Sequence, residues 1–242
     1  MKKMSLLAVA VLALAGLARA ESIEQTLTIA AFTPGVDTTY NLLFDKFDSQ
    51  GGTRTLTSVT IALTVNAWGG YYAVDNDAAD TPAYVTVTWG ASGRITQHGA
   101  WDSSLPTDTT LTQYATLNSG EQMLLSNQGD STGVYNSGSE GDKFRLDGSN
   151  VNAPTVASIS GTRTTNLDGY VGSGQLALDY IANQASSSTQ VGGVFYSGGP
   201  ADSSAVIVIT YNYTPEPTSL ALLALGCAVV GLRRRNPCGK AV

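Results

Sequence analysis

Ser58-Val59-Thr60-Ile61-Ala62-Leu63-Thr64-Val65 decides the fold class of this chain. Val59, Ile61, Leu63 and Val65 fall on one side of an extended backbone; Ser58, Thr60, Ala62 and Thr64 fall on the other. A period of two written in β-branched residues is the mark of a strand with one buried face. The pattern repeats outward from here. Ile23, Leu27, Ile29 and Ala31 alternate with mostly polar residues, and Val85, Val87 and Trp89 alternate with Thr86 and Thr88. Leu176, Leu178 and Tyr180 mark a further strand, Val191 to Tyr196 another, and Ala205 to Tyr213 is a long β-branched and aromatic run. Gly51-Gly52, Gly69-Gly70, Ser92-Gly93 and Gly198-Gly199 read as turns. The stretches 127–152 and 152–174, crowded with small polar residues, read as loops or short edge strands. No central stretch has the period of an amphipathic helix. Residues 21–213 are therefore expected to form one all-β domain, a single β-sandwich of jelly-roll-like or Ig-like type.

The two ends of the chain differ from this middle. Lys2 and Lys3 precede an apolar run from Ser5 to Leu17, and Ala18-Arg19-Ala20 offers a small-x-small cleavage pattern. Residues 1–20 thus read as a helical secretory signal peptide, cut after Ala20 and handled by the Sec translocon. At the other end stand Pro215-Glu216-Pro217, a run of 13 uncharged residues from Leu220 to Leu232, and Arg233-Arg234-Arg235. The prolines bar a helix from entering from upstream, and Thr218 or Ser219 can cap a new one. The run 220–232 is short for a transmembrane helix, which needs about 20 residues. The three arginines favour the cytoplasmic side. A tail, 236–242, follows.

Charge follows the same division. All nineteen acidic residues lie between Glu21 and Glu216, with six basic ones, so the middle carries a net charge of −13 against −6 for the whole chain. A domain so acidic repels nucleic acid and anionic lipid heads. Both cysteines, Cys227 and Cys238, lie beyond it, so no disulfide staples the middle. A region of this size can bury a sufficient core unaided.

The ordered set Pro215-Glu216-Pro217, apolar run and Arg233 to Arg235 resembles the PEP-CTERM sorting signal of Gram-negative bacteria, over residues 214–235. The resemblance implies recognition by an exosortase, a membrane-embedded cysteine protease that cuts near the Pro-Glu-Pro. The chain departs from the pattern in its seven-residue tail. A second resemblance covers both ends of the middle region. Phe44, Lys46-Phe47-Asp48 and Leu56-Thr57-Ser58-Val59, with the closing run 205–217, are similar to the choice-of-anchor E type domain. That likeness implies a β-sandwich delivered by the same signal, and assigns it no activity.

Signals for chemistry are sparse. His98 is the only histidine, and it has no neighbouring cysteine or second histidine to make a metal site. There is no phosphate loop and no dinucleotide fingerprint. Asp75, Asp77 and Asp80 place oxygen ligands close together and are a candidate calcium site, though without the glycine and distal glutamate of a helix-loop-helix site. Trp68 and Trp101 stand beside glycine or aspartate and are candidates for stacking on sugar rings; Trp89 continues an inward alternation and reads as core. The expectation is an exported, transiently membrane-anchored protein of the cell surface or extracellular matrix. Its β-sandwich is expected to be non-catalytic, without a required cofactor, and associated with exopolysaccharide. A carbohydrate-binding module is the alternative, and a glycan-active enzyme the third reading.

Overall fold

The computed structural model describes residues 20–97, 111–127, 141–189 and 192–216. They form strands β1 (Glu21–Phe32), β2 (Thr38–Asp45), β3 (Arg54–Trp68), β4 (Tyr71–Asn76), β5 (Ala83–Gln97), β6 (Leu111–Leu124), β7 (Lys143–Asp147), β8 (Thr155–Arg163), β9 (Gln175–Ser188), β10 (Val194–Gly199) and β11 (Asp202–Pro215), with a single 3₁₀ turn at Asp168–Tyr170. Among the described residues no helix is long and apolar enough to cross a membrane. The expected signal-peptide helix and the apolar run 220–232 lie outside the described residues.

Eight strands make two four-stranded sheets, ordered β1-β11-β3-β8 and β2-β9-β5-β6. The antiparallel pairs β1 with β11, β2 with β9, β3 with β8 and β5 with β6 nest one inside the next along the chain. This is a long hairpin rolled on itself, the winding of a jelly roll. Alternation explains why the two sheets close on each other. Val59, Ile61, Leu63 and Val65 of β3, with Ile207 and Ile209 of β11, are almost fully buried. They share one apolar cluster with Leu178 and Tyr180 of β9 and Phe44 of β2. Burying each such side chain contributes about 1.5–3 kcal/mol.

The other three strands sit in the connections β3–β5, β6–β8 and β9–β11 and pair as a small sheet, β10-β4-β7. It packs Tyr72, Val74, Phe144, Leu146, Val194 and Tyr196 onto Ala83, Val85, Val87 and Leu124, a second and separate apolar cluster. The third sheet marks one end of the molecule. At the opposite end, Glu21 pairs with Tyr213, Pro215 with Arg54, and Val59 with Arg163. Both chain ends therefore leave the sandwich together, away from the third sheet.

The structure differs from the sequence pattern in three places. Ser92 and Gly93 lie inside β5, and Gly198 and Gly199 close β10 instead of forming a turn. β6 is a full 14-residue strand. Its pattern is broken by a register shift between Thr86 and Thr88 of its partner β5, where Ser119 Oγ accepts the Val87 N–H at 2.9 Å.

Candidate functional site

The last strand sets up the site. Ser203, Ala205, Ile207, Ile209, Tyr211 and Tyr213 of β11 point inward. The strand then outruns the core. Thr214 lies opposite Thr55, Pro215 opposite Arg54, and the Glu216 N–H donates to the Thr53 carbonyl at 2.8 Å.

A tight turn between β2 and β3 makes this possible. Gln50, Gly51 and Gly52 adopt positive φ. The Gly52 and Arg54 N–H groups both donate to the Ser49 carbonyl, and the Gln50 N–H donates to the Asp48 carboxylate at 2.8 Å. The two glycines adopt that backbone at no steric cost. The turn thus aims Thr53 at the end of β11.

Side chains lock the junction from beneath. The Tyr213 hydroxyl donates to Glu21 Oε2 at 2.6 Å, and the Arg54 guanidinium lies over the Tyr213 ring at 5.1 Å. The bond to Glu21, then burial, pushes the Tyr213 phenol above its ordinary value. Phe47 packs 5.4 Å from Tyr213 and 6.0 Å from Tyr211, and the Tyr211 hydroxyl donates to the Asp45 carbonyl at 2.9 Å. The expected signal-peptide cut after Ala20 and the expected sorting stretch are thus neighbours in one sheet.

The flanks of the junction are unequal. β3 covers one side. On the other, β1 begins at Glu21 opposite Tyr213, and among the described residues no strand flanks residues 214–216 there. In an antiparallel ladder successive residues turn their backbone groups to opposite neighbours. Glu216 faces β3, so Pro215 faces the uncovered side, and proline has no N–H to leave unsatisfied there.

The remaining candidates are dispersed. Asp75 is fully buried on β4, in register with Lys143 and Phe195, whereas Asp77 is half-buried and Asp80 is exposed in the loop that follows. Among the described residues, no three His, Cys, Asp or Glu side chains gather closely enough to hold a metal ion. The residue that organises this region is Asn76. Its Nδ2 donates to the Thr81 and Leu125 carbonyls at 2.9 and 2.6 Å, and its Oδ1 accepts the Ala78 N–H at 3.2 Å. Trp68 is half-buried at the end of β3, opposite Asp202. Trp89 is core, with its ring 5.8 Å from Tyr72. Trp101 and His98 lie outside the described residues, as do Ala18, Pro217 and Arg233 to Arg235.

Comparison with known proteins speaks to this same end. Residues 214–235 match the PEP-CTERM protein-sorting motif. No curated protein matches the chain. Among solved structures, the infectious bursal disease virus VP2 subviral particle is similar at 12% identity and a TM-score of 0.21, covering 81% of this chain and 42% of that one. The structure of the same virus's Gt strain follows at 11% identity and a TM-score of 0.20, covering 82% and 40%. This chain thus spans about two fifths of those proteins.

Proposed function

We propose that this chain is an exported protein whose non-catalytic β-sandwich is delivered to the cell surface or extracellular matrix by a PEP-CTERM-type signal, after transient membrane anchoring and cutting by an exosortase-like protease. The observation that carries this reading is the sorting-motif match at 214–235, which begins on the last residues of β11. The sandwich fits the choice-of-anchor E-like assignment. Phe44, Phe47 and Leu56 to Val59 lead into and out of the turn that holds the signal, and the Val-Ile-Thr-Tyr run of β11 ends on it.

Association with exopolysaccharide is supported by the outer face of the β1-β11-β3-β8 sheet. Rows there place Thr60 beside Thr162 and Thr210, and Thr64 beside Ser158 and Val206, with Thr26 and Thr28 exposed on β1. Thr60 and Thr162 share a hydrogen bond at 2.8 Å, as do Thr64 and Ser158. A face of hydroxyls interspersed with Ala62, Val206 and Val208, on a strongly acidic domain, suits a hydroxylated polymer better than a polyanion.

The test uses the native host. Wild-type protein is expected to lose both its signal peptide and its C-terminal tail, read by intact mass. Glu216→Ala is expected to leave membrane insertion intact and block removal of the tail. Replacing Arg233, Arg234 and Arg235 together is expected to weaken membrane retention, seen as a change of cell fraction. Wild-type protein retaining its tail would overturn the sorting function.

A further inference from the structure

The matched sorting stretch begins inside a sheet. Thr214 and Pro215 are ladder residues, and Glu216 is bonded to Thr53 through its backbone. One edge of this short ribbon is satisfied by β3. The other looks past Glu21, where β1 starts, and among the described residues nothing covers it. On that open edge only Pro215 turns its backbone outward, so the ribbon offers one carbonyl acceptor there and no N–H donor.

We propose that the folded domain presents its own sorting signal: the β2–β3 turn is a positioning element that holds Thr214 to Glu216 extended, with the Pro215 carbonyl turned to the uncovered side, for the protease that reads the signal. This rests on the sorting function proposed above. The position of the edge argues for that occupant. The uncharged run begins at Leu220, only four residues beyond Glu216, so the edge belongs at the membrane surface, within reach of a membrane-embedded protease. A peptide that is already extended loses less backbone freedom on docking than a free one. The residues that supply this order are far away in sequence. Thr53 and Arg54 hold one side, and Glu21 anchors Tyr213 just before the ribbon. The pairing that positions the signal exists only when the domain is folded, so an unfolded chain offers the same residues without that order.

The experiment follows the full-length protein in its native host. Gly-Ser-Gly-Ser is inserted between Thr214 and Pro215, which leaves the core and residues 215–235 intact but detaches them from the sheet. Pulse-chase is expected to show tail removal slowed roughly tenfold, the rate equivalent of ordering about one residue's backbone. Hydrogen exchange on the full-length wild-type protein in detergent gives an independent reading that needs no variant. The Glu216 amide is expected to be protected at least about tenfold over a free peptide, as its bond to Thr53 requires. Processing of the insertion variant at the wild-type rate, or exchange of the Glu216 amide at the free-peptide rate, would overturn presentation by the fold and leave the sorting function standing. Wild-type protein that never loses its tail would overturn both.

Discussion

A methyl group on Gly93 would come within 2.6 Å of a Tyr180 ring carbon and 2.7 Å of the Tyr180 hydroxyl and a Val65 methyl. Gly93 is therefore the recess into which Tyr180 fits, and the two sheets close over it. Tyr180 is fully buried and cannot retreat towards solvent. Gly93→Ala is expected to destabilise the domain by about 1–3 kcal/mol through overpacking, and to lower the melting temperature by several degrees. An unchanged melt would mean that the ring has room to shift. The same residue shows where sequence reading stops. Ser92-Gly93 looks like a turn because glycine next to serine is commonly one, whereas here the glycine answers a side chain that arrives from another strand. Pro215 is the opposite case. Its place at the start of the sorting stretch is legible locally, because the motif lies within a few residues. Its partner is not legible, since Arg54 stands far upstream in the sequence, on another strand.

Among the elements, the long alternating strands were plain from the chain and the third sheet was not. β3 and β11 carry unbroken inward rows, so their period names them. β7 has only five residues, in a stretch rich in glycine and serine, and the pairing of β10 with β4 depends on where three separate connections meet. Asp75 reads from the sequence as a candidate calcium ligand, yet it and Asn76 are buried at the end of β4. Asn76 ties that end to Thr81 and to Leu125 just past β6, and its own N–H donates to the Asp142 carbonyl at 2.9 Å. Asn76→Ala removes the three hydrogen bonds of a fully buried side chain and is expected to cost about 1–3 kcal/mol. Because the third sheet has its own apolar cluster, the loss should stay local. Hydrogen exchange is expected to quicken in β4, β7 and β10 while β3 and β11 keep their protection. Uniform acceleration across all sheets would show that the third sheet and the sandwich unfold as one.

The molecule as a whole carries two buried phenols that make its stability sensitive to alkali. Burial pushes Tyr180 up to about 12, against a small opposing effect of the Ser203 hydroxyl, and burial, then the nearby Asp45, pushes Tyr211 up to about 12. In the unfolded chain both would ionise near 10.0, the ordinary value of a tyrosine phenol. The native state thus holds its protons more tightly than the unfolded state. The associated stability is complete below pH 10 and is lost as pH rises from 10 to about 12. The loss is expected to be on the order of 2 kcal/mol, after allowance for hydration of the phenols. Melting curves at pH 9 and pH 11 test it, and Tyr180→Phe should flatten the difference. A further consequence lies in the order of synthesis. Among the described residues β11 is the last strand made, yet it sits between β1 and β3 inside its sheet. A chain threaded outward N-terminus first cannot close that sheet until residues 202–215 have emerged. On the export proposed above, the chain crosses the membrane before this sheet closes, and the stretch that completes the fold is followed at once by the apolar run 220–232.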